Sequence, residues 1–145
     1  MEPNWFKAPN DIIFDYIKNE NNKLIYVYSE DKDKRNKILK VINDTLLNTR
    51  LVVMLNTKEF IENKNILEDI KNNYNDIDTF IIDDIELLSN NYESQTLFFN
   101  SFNHLYAYGK KLILISSLSP TKLIAFNERL KARLSWGKVY SLDEI

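Results

Sequence analysis

The sequence predicts an α/β domain built on a parallel sheet with helices on both faces. Short runs of β-branched and apolar residues alternate along the chain with segments whose apolar residues recur at helical spacing. The residues at 79–82 are all β-branched or aromatic, which is typical of a central strand buried on both faces. This run leads directly into Asp83 and Asp84. Carboxylates at the carboxyl end of such a strand lie where open α/β sheets bind ligands.

The chain is predicted to open with an irregular arm over residues 1–8, which contains Trp5 and Phe6. The spacing of the apolar residues over 11–18 then predicts a helix. A first strand is predicted over 24–28, where apolar and aromatic residues follow one another without interruption.

The polar segment 29–37 leads into a second helix, whose apolar face packs on the sheet. A second strand is predicted over 51–55, and a short helix begins at Thr57. Asn65 and Glu68, three residues apart, resemble a capping box at the start of a further helix.

The second half of the chain follows the same alternation. Ser94 is a suitable N-cap for a long helix that extends to Tyr108, and Gly109 is suited to the C-terminal stop of that helix. A fourth strand is predicted over 112–116, followed by a loop that ends at Pro120. A short helix over 126–134 and a fifth strand over 138–142 complete the chain.

Composition excludes several kinds of site. With 145 residues, 44% apolar and 28% charged, the chain is predicted to be one globular domain over residues 1–145. The absence of cysteine excludes disulfides and thiolate metal sites, and the single histidine excludes a histidine-rich metal centre. No apolar run is long enough to span a membrane, and the N-terminus has no signal-peptide pattern, so we expect a cytoplasmic protein without a membrane partner.

Several short motifs, in order, resemble the AAA+ domain of the bacterial replication initiator DnaA and its relative Hda. The resemblance extends from about residue 9 to residue 142. DTFIIDDIELL at 78–88 looks like the family's Walker B strand, and FFNSFN at 98–103 looks like the helix after it. LILISSLSP at 112–120 resembles the sensor I strand, and NERLKARLSWG at 127–137 resembles the box VII segment. The resemblance implies a three-layer AAA+ base domain with five parallel strands in the order 5-1-4-3-2.

The phosphate-binding segment departs from the family pattern. Where the family has GGVGLGKT, residues 29–36 read SEDKDKRN, so Arg35 stands at the lysine position and Asn36 at the threonine position. Side chains therefore occupy space where backbone amides must approach phosphate. The only glycines, Gly109 and Gly137, lie elsewhere. The family's sensor I acid is replaced as well. The degenerate positions of the nucleotide site are Ser29, Lys34, Arg35, Asn36, Asp83, Asp84 and Ser117.

We therefore expect this domain neither to bind ATP tightly nor to hydrolyse it, and we expect no cofactor and no metal. Acidic residues at positions 30, 31 and 33 would repel a triphosphate, and Asn36 lacks the hydroxyl that would bind Mg²⁺. The resemblance also implies that the helical lid and the helix-turn-helix DNA-binding domain are absent, because the chain stops at Ile145. Asp83 and Asp84 are then an inherited pair with a basic partner such as Arg35. The alternative is a weak ATPase that binds ATP or ADP with Mg²⁺ through an atypical P-loop.

Two arginines are candidates for chemistry outside the chain's own pocket. Arg129 and Arg133 lie four residues apart, hence on one side of a short helix. The resemblance places Arg133 at the arginine finger, which reaches the nucleotide of a neighbouring subunit and stabilises charge on the transferred phosphoryl group. In the alternative interpretation, Arg133 forms an ion pair with Glu128 or Asp143, or packs on Trp136.

Binding to a protein partner is favoured over binding to DNA. The basic residues that could contact DNA phosphates come from different elements, so we do not expect the chain to bind DNA on its own; they are Lys110, Lys111, Lys131, Arg133 and Lys138. Candidate partner-binding residues are Trp5, Phe6, Lys131 and Trp136. The sequence thus predicts a non-catalytic, DnaA/Hda-like regulator of bacterial chromosome replication that acts on an AAA+ partner such as DnaA. An adaptor for a helicase or another replication protein is the alternative.

Overall fold

The computed structural model describes residues 19, 21–46, 51–73 and 76–143. The helix predicted over 11–18 and the arm that contains Trp5 and Phe6 lie outside this part of the chain. Within the described ranges, no helix is both long enough and apolar enough to cross a membrane.

The described residues form one parallel sheet. Its strands are β1 (Leu24–Tyr28), β2 (Val52–Asn56), β3 (Thr79–Asp83), β4 (Lys111–Ser116) and β5 (Lys138–Ser141). Their order across the sheet is β2-β3-β4-β1-β5, with parallel pairing throughout. This is the predicted order 5-1-4-3-2 seen from the other edge, so the predicted topology is confirmed.

Helices connect successive strands. They are α1 (Lys32–Leu46), α2 (Thr57–Glu62), α3 (Asn65–Asn73), α4 (Tyr92–Ala107) and α5 (Glu128–Leu134), with single 3₁₀ turns at Ile85–Leu88 and Pro120–Lys122. Gly109 follows α4 with a φ of 75°, a left-handed conformation that glycine adopts without steric cost, as predicted for the end of this helix.

Successive residues of β1 face opposite sides of the sheet, and both sides are covered. Ile25 and Val27 are buried with Ile38 of α1 in one apolar cluster. Tyr26 is buried in the other cluster, with Phe98 of α4 and residues of α5. Because a buried central strand needs an apolar cover on each face, this arrangement confirms the three-layer α/β architecture.

The predicted start of the long helix is wrong. The helix begins at Tyr92 rather than after Ser94, and Asn91 is its N-cap. The backbone N–H of Ser94 donates to Asn91 Oδ1 at 3.1 Å. Both residues have side chains that can cap a helix, but Ser94 is buried in the first turn and does not serve as the cap.

The predicted capping box is also misplaced. Asn65 is already the first residue of α3, and its backbone N–H donates to Asn63 Oδ1 at 3.1 Å. The reciprocal pair of bonds lies instead at α2, where Asn56 is the N-cap and Glu59 is three residues further on. Asn56 is also the last residue of β2, so this cap fixes the turn at the carboxyl edge of the sheet.

Candidate functional site

The first turn of α1 is capped by the chain's own carboxylate. Asp31 Oδ1 accepts from the backbone N–H of Asp33 at 2.9 Å and of Lys34 at 3.4 Å, and the Asp31 carbonyl accepts from Arg35 N–H at 3.2 Å. The helix therefore begins at Lys32, inside the polar segment that was predicted to precede it. The first amides of a helix are those that bind a phosphate in nucleotide sites. Here they already have an acceptor.

Ser29 connects this turn by hydrogen bonds to Asp143, which lies just after β5. Its side chain is fully buried; the hydroxyl accepts from Asp31 N–H at 3.0 Å and donates to Asp143 Oδ1 at 2.9 Å. Lys34 Nζ donates to the same carboxylate oxygen at 2.9 Å. The hydrogen bonds from Lys34 and then from Ser29 hold the pKa of Asp143 below its usual range. Hydrogen bonds thus join Ser29 and Lys34 to Asp143 and form a polar bridge beside the degenerate segment 29–36.

Arg35 and Asn36 do not take over the roles of the lysine and threonine they replace. Arg35 Nη1 donates to the carbonyl of Ser29 at 2.6 Å, and Asn36 lies exposed on α1. The predicted pairing of Arg35 with Asp83 is weak, since no ion pair joins the two residues within the described chain. The guanidinium lowers the pKa of Asp83, but burial and the Asp84 carboxylate raise it by more. Arg35 is therefore held by the backbone.

The two aspartates at the end of β3 have different conformations. Asp83 ends the strand, and its Oδ1 accepts from Asp84 N–H at 2.8 Å. Burial and then the neighbouring Asp84 carboxylate raise the pKa of Asp83 to about 6. Asp84 lies outside the strand in the left-handed region at φ 58°, where Asn56 Nδ2 donates to its Oδ2 at 2.7 Å.

Asp83→Asn is expected to stabilise the fold near neutral pH by about 1 kcal/mol, since the carboxyl is only partly buried and water screens its charge. Between the ordinary pKa of 3.8 and about 6, the folded chain keeps a proton on Asp83 that the unfolded chain has lost. Stability therefore falls as pH rises through this window. Asparagine keeps the acceptor for Asp84 N–H and removes the charge.

Urea unfolding of the wild type and Asp83→Asn at several pH values checks this expectation. The two proteins should be equally stable below about pH 4 and diverge up to about pH 6. Asp44→Asn, at an exposed position of α1, is the control and should show no such divergence. A constant difference at every pH would contradict the assigned cause.

Glu86 is a site residue that the sequence analysis missed. Its Oε1 accepts from the backbone N–H of Ser117 at 2.8 Å, across the gap between the turn after β3 and the end of β4. Its other carboxylate oxygen, Oε2, is buried and has no hydrogen-bond partner within the described part of the chain. Ser117, at the position of the family's sensor acid, is thus held through its amide by an acid from the neighbouring strand end. The sequence feature that could have indicated Glu86 is the acidic run DDIE at 83–86.

Arg133 packs against aromatic rings of its own chain. Its guanidinium carbon lies 4.2 Å from the ring centroid of Trp136 and 5.0 Å from that of Phe99, and Nη1 donates to Asn103 Oδ1. This is the predicted packing on Trp136. Among the described residues, Arg133 forms neither of the alternative ion pairs, with Glu128 or with Asp143, and Asp143 pairs with Lys34 instead.

Arg129 has different surroundings on the same helix. It is exposed, beside a groove of about 240 Å³ between α4 and α5. The groove is lined by Gln95, Thr96, Phe99, Asn100, Asn127, Arg129 and Leu130. Lys131, by contrast, is half-buried, and Trp136 is 55% exposed. Of these two predicted partner-binding residues, Trp136 is therefore the more accessible.

The interpretation of Lys111 as a surface cation is wrong. Lys111 is the first residue of β4 and is only 2% exposed. Its Nζ donates to the carbonyl of Asn19 at 3.3 Å. A buried, hydrogen-bonded ammonium group cannot contact a DNA phosphate, so Lys111 does not contribute to a basic surface.

Comparison with known proteins agrees with this architecture. The family described as the bacterial DnaA ATPase domain matches residues 15–141. The chain belongs to this family. It is 31% identical over 127 residues to the chromosomal replication initiator protein DnaA of Buchnera aphidicola, an alignment that covers 88% of this chain and 24% of that protein. The chain thus spans about a quarter of that relative's length.

Solved structures show the same fold. Domain III of DnaA from Thermotoga maritima superposes with a TM-score of 0.83 at 22% identity, covering 99% of this chain and 64% of that one. AMPPCP-bound DnaA from Aquifex aeolicus gives a TM-score of 0.83 at 20% identity, covering 97% and 47%. The chain therefore has the AAA+ base fold that these DnaA structures share.

Proposed function

We propose that this chain is a non-catalytic member of its family that regulates the initiation of bacterial chromosome replication by binding an AAA+ partner such as DnaA. The observation that carries the proposal is the capping of α1 by Asp31, whose carboxylate accepts from two backbone amides. A triphosphate would have to displace this carboxylate to reach the same amides.

Charge adds to this obstacle. Three carboxylates, those of Glu30, Asp31 and Asp33, are exposed around the first turn of α1 beside the single exposed cation Lys32, so a triphosphate approaching there meets more negative than positive charge. The nearby cation Lys34 is paired with Asp143. Arg35, at the position of the family's lysine, is engaged by a backbone carbonyl. Together these contacts support a domain without a nucleotide of its own.

An arginine on α5 can act without such a pocket. An arginine supplied in trans stabilises charge on a phosphoryl group held by a neighbouring subunit, and its donor needs no bound nucleotide. Arg133 and Arg129 are the two candidates, since both lie on the short helix that corresponds to box VII. In this proposal, docking of α5 on DnaA promotes hydrolysis of the ATP that DnaA holds and thereby turns initiation off.

The experiment measures ATP hydrolysis by full-length DnaA from the organism that encodes this chain, with increasing amounts of the chain added. We expect the rate to rise to a plateau and the chain alone to hydrolyse nothing. An unchanged DnaA rate at every concentration would contradict the regulatory role. That result, combined with retention of a helicase in a binding assay, would favour the adaptor alternative.

A thermal-shift control separates this proposal from the weak-ATPase alternative. A ligand at 100-fold over its Kd adds about 2.7 kcal/mol to the free energy of unfolding, which moves the melting temperature visibly. We expect millimolar ATP with Mg²⁺ to leave the melting temperature of the isolated chain unchanged. A clear increase would favour the alternative.

A further inference from the structure

We infer that the open edge of β2 binds an extended segment of a protein partner as an added strand, and that this segment carries an apolar residue flanked by lysine or arginine. Among the described residues, β2 is one of the two outer strands of the sheet, and β5 is the other. The test of the inference requires no DnaA, so it is independent of the proposed function.

The backbone of β2 presents hydrogen-bonding groups at this edge. The Leu51 carbonyl accepts from Thr79 N–H at 3.2 Å, so it faces β3. Because the N–H and C=O groups of successive strand residues point alternately to the two sides, Val53 also faces β3. Val52 and Met54 therefore direct their backbone groups away from the sheet, where no described strand lies. A row of such groups is a template for a further strand.

The side chains of β2 do not block such pairing. Exposed edge strands usually carry charged residues or proline, which oppose the addition of another strand. The run from 51 to 55 reads LVVML and contains neither. Leu51 is 56% exposed and Met54 is 41% exposed. By contrast, β5 at the opposite edge begins with the exposed Lys138. The apolar edge of β2 is therefore the one suited to a covering strand.

A groove beside β2 can receive a side chain of the added strand. Its volume is about 200 Å³, and it lies between α3 and the face formed by β2 and β3. It is lined by Val53, Asp69, Ile70, Ile77 and Phe80, so its walls are mostly apolar. In strand addition the main chain supplies the hydrogen bonds, and pockets for alternate side chains supply the selectivity. The groove therefore selects an apolar residue on the face of the added strand turned towards α3.

Carboxylates flank the groove and define the charge of its occupant. Asp69 lines the groove, and Asp76 and Asp78 are exposed on either side of Ile77. A lysine or arginine two residues from the apolar residue would lie on the same face of the added strand, within reach of these carboxylates. Two copies of this chain paired through β2 would instead bring the carboxylates together, and like charges oppose that arrangement. Charge complementarity therefore favours a basic segment of another protein over a second copy.

The probe is a labelled peptide of about ten residues with KTVTK at its centre, because its valine and both lysines share one face of an extended strand. Its binding to the full chain is measured by fluorescence anisotropy at several salt concentrations. We expect saturable binding that weakens with salt, since exposed charge pairs are screened. A peptide with ETVTE in place of KTVTK should bind at least about tenfold more weakly. Equal binding of both peptides, or binding of neither, would overturn the inference.

Two substitutions of Met54 separate the backbone contact from the side chain. Met54→Pro removes the N–H that the added strand would bond, whereas Met54→Val keeps it. We expect Met54→Pro to weaken binding of the KTVTK peptide about tenfold and Met54→Val to weaken it by less than about twofold. The opposite result, with the larger loss in Met54→Val, would show that the peptide does not add to this strand.

Val139→Pro is the matched backbone control at the other edge of the sheet. The N–H of Leu142 donates to the Tyr28 carbonyl at 3.0 Å, so by the same alternation the N–H of Val139 points away from the sheet. We expect Val139→Pro to bind the KTVTK peptide as the wild type does. Equal losses in Val139→Pro and Met54→Pro would contradict the assignment to β2.

Charge variants test the groove without any change to the strand. We expect Asp69→Lys to weaken binding of the KTVTK peptide about threefold and to strengthen binding of the ETVTE peptide by a similar factor. Asp44→Lys, at an exposed position of α1, is the control and should alter neither. The same affinities in Asp69→Lys as in the wild type would overturn the inference, even where both proline variants fail to fold.

Two measurements on the chain alone identify a different occupant of the edge. A wild-type dimer in sedimentation equilibrium that Met54→Pro converts to a monomer would show that a second copy covers β2. Slow hydrogen exchange of the Met54 amide in the monomeric chain would show that the chain covers its own edge. Either result would overturn the inference, whereas a monomer with rapid exchange at Met54 and slow exchange in the presence of the KTVTK peptide is the expected outcome.

Discussion

Gly137→Ala is expected to destabilise the fold by about 3 kcal/mol or more, the upper range for overpacking a tightly packed position. A Cβ at Gly137 would lie 2.0 Å from the carbonyl oxygen of Leu24 and 2.7 Å from its carbonyl carbon. Both are backbone atoms of β1, which is paired with β4 on one side and β5 on the other. The clash therefore cannot be relieved by rotation of a side chain.

Gly109→Ala is the matched control for this substitution. Gly109 has a φ of 75°, and a Cβ there would meet nothing within 4 Å. Alanine at this position carries only the strain of the left-handed conformation, about 1 kcal/mol. Urea unfolding of both variants measures the two losses. Equal losses would mean that the approach of Gly137 to β1 is not what limits this position.

The Gly137 prediction also bears on the proposed site. Gly137 lies between Trp136, which packs on Arg133, and β5, which carries the chain to Asp143. Displacing this backbone would disturb both the arginine contact on one side and the Ser29–Asp143 bridge on the other. The close approach to β1 thus fixes the relative position of the two candidate functional regions.

Much of the fold follows from local pattern. The run at 79–82 predicts β3 because four consecutive β-branched or aromatic residues need cover on both faces. The order of the strands came from the resemblance to the DnaA family, since a periodic pattern does not say which strands are neighbours. The start of α4 could not be placed from pattern, because Asn91 and Ser94 are both good caps and only packing decides which one becomes buried.

The sites were less predictable than the fold because their contacts join distant residues. The loss of glycine at 29–36 is visible in the sequence, but the bond from Ser29 to Asp143 spans 114 positions. Likewise, the motif placed Arg133 at the arginine-finger position, whereas its contacts with Phe99 and Asn103 depend on how α4 and α5 meet. Burial of Lys111 also lay beyond the pattern, since a lysine at the start of a strand is usually exposed.

Gln95→Leu is expected to lower the free energy of unfolding by about 2 kcal/mol, because it removes three hydrogen bonds and leaves the Asn127 N–H without this acceptor. Gln95 is 1% exposed. Its Nε2 donates to the carbonyls of Leu88 and Ala125, each at 2.8 Å, and its Oε1 accepts from Asn127 N–H at 2.6 Å. Leucine has a similar volume and supplies none of these bonds, so the loss reports the hydrogen bonds more than the packing.

Asn100→Leu is the matched control on the same helix, since Asn100 is exposed and its replacement should change stability by only about 0.5 kcal/mol. The comparison has a functional consequence. Gln95 accepts a hydrogen bond from Asn127 N–H, Asn127 caps α5, and α5 carries both candidate arginines. Even where Gln95→Leu remains folded, α5 loses its fixed start, so the proposed stimulation of DnaA through α5 should fall together with stability. Loss of stability with full stimulation would show that the position of α5 does not depend on this amide.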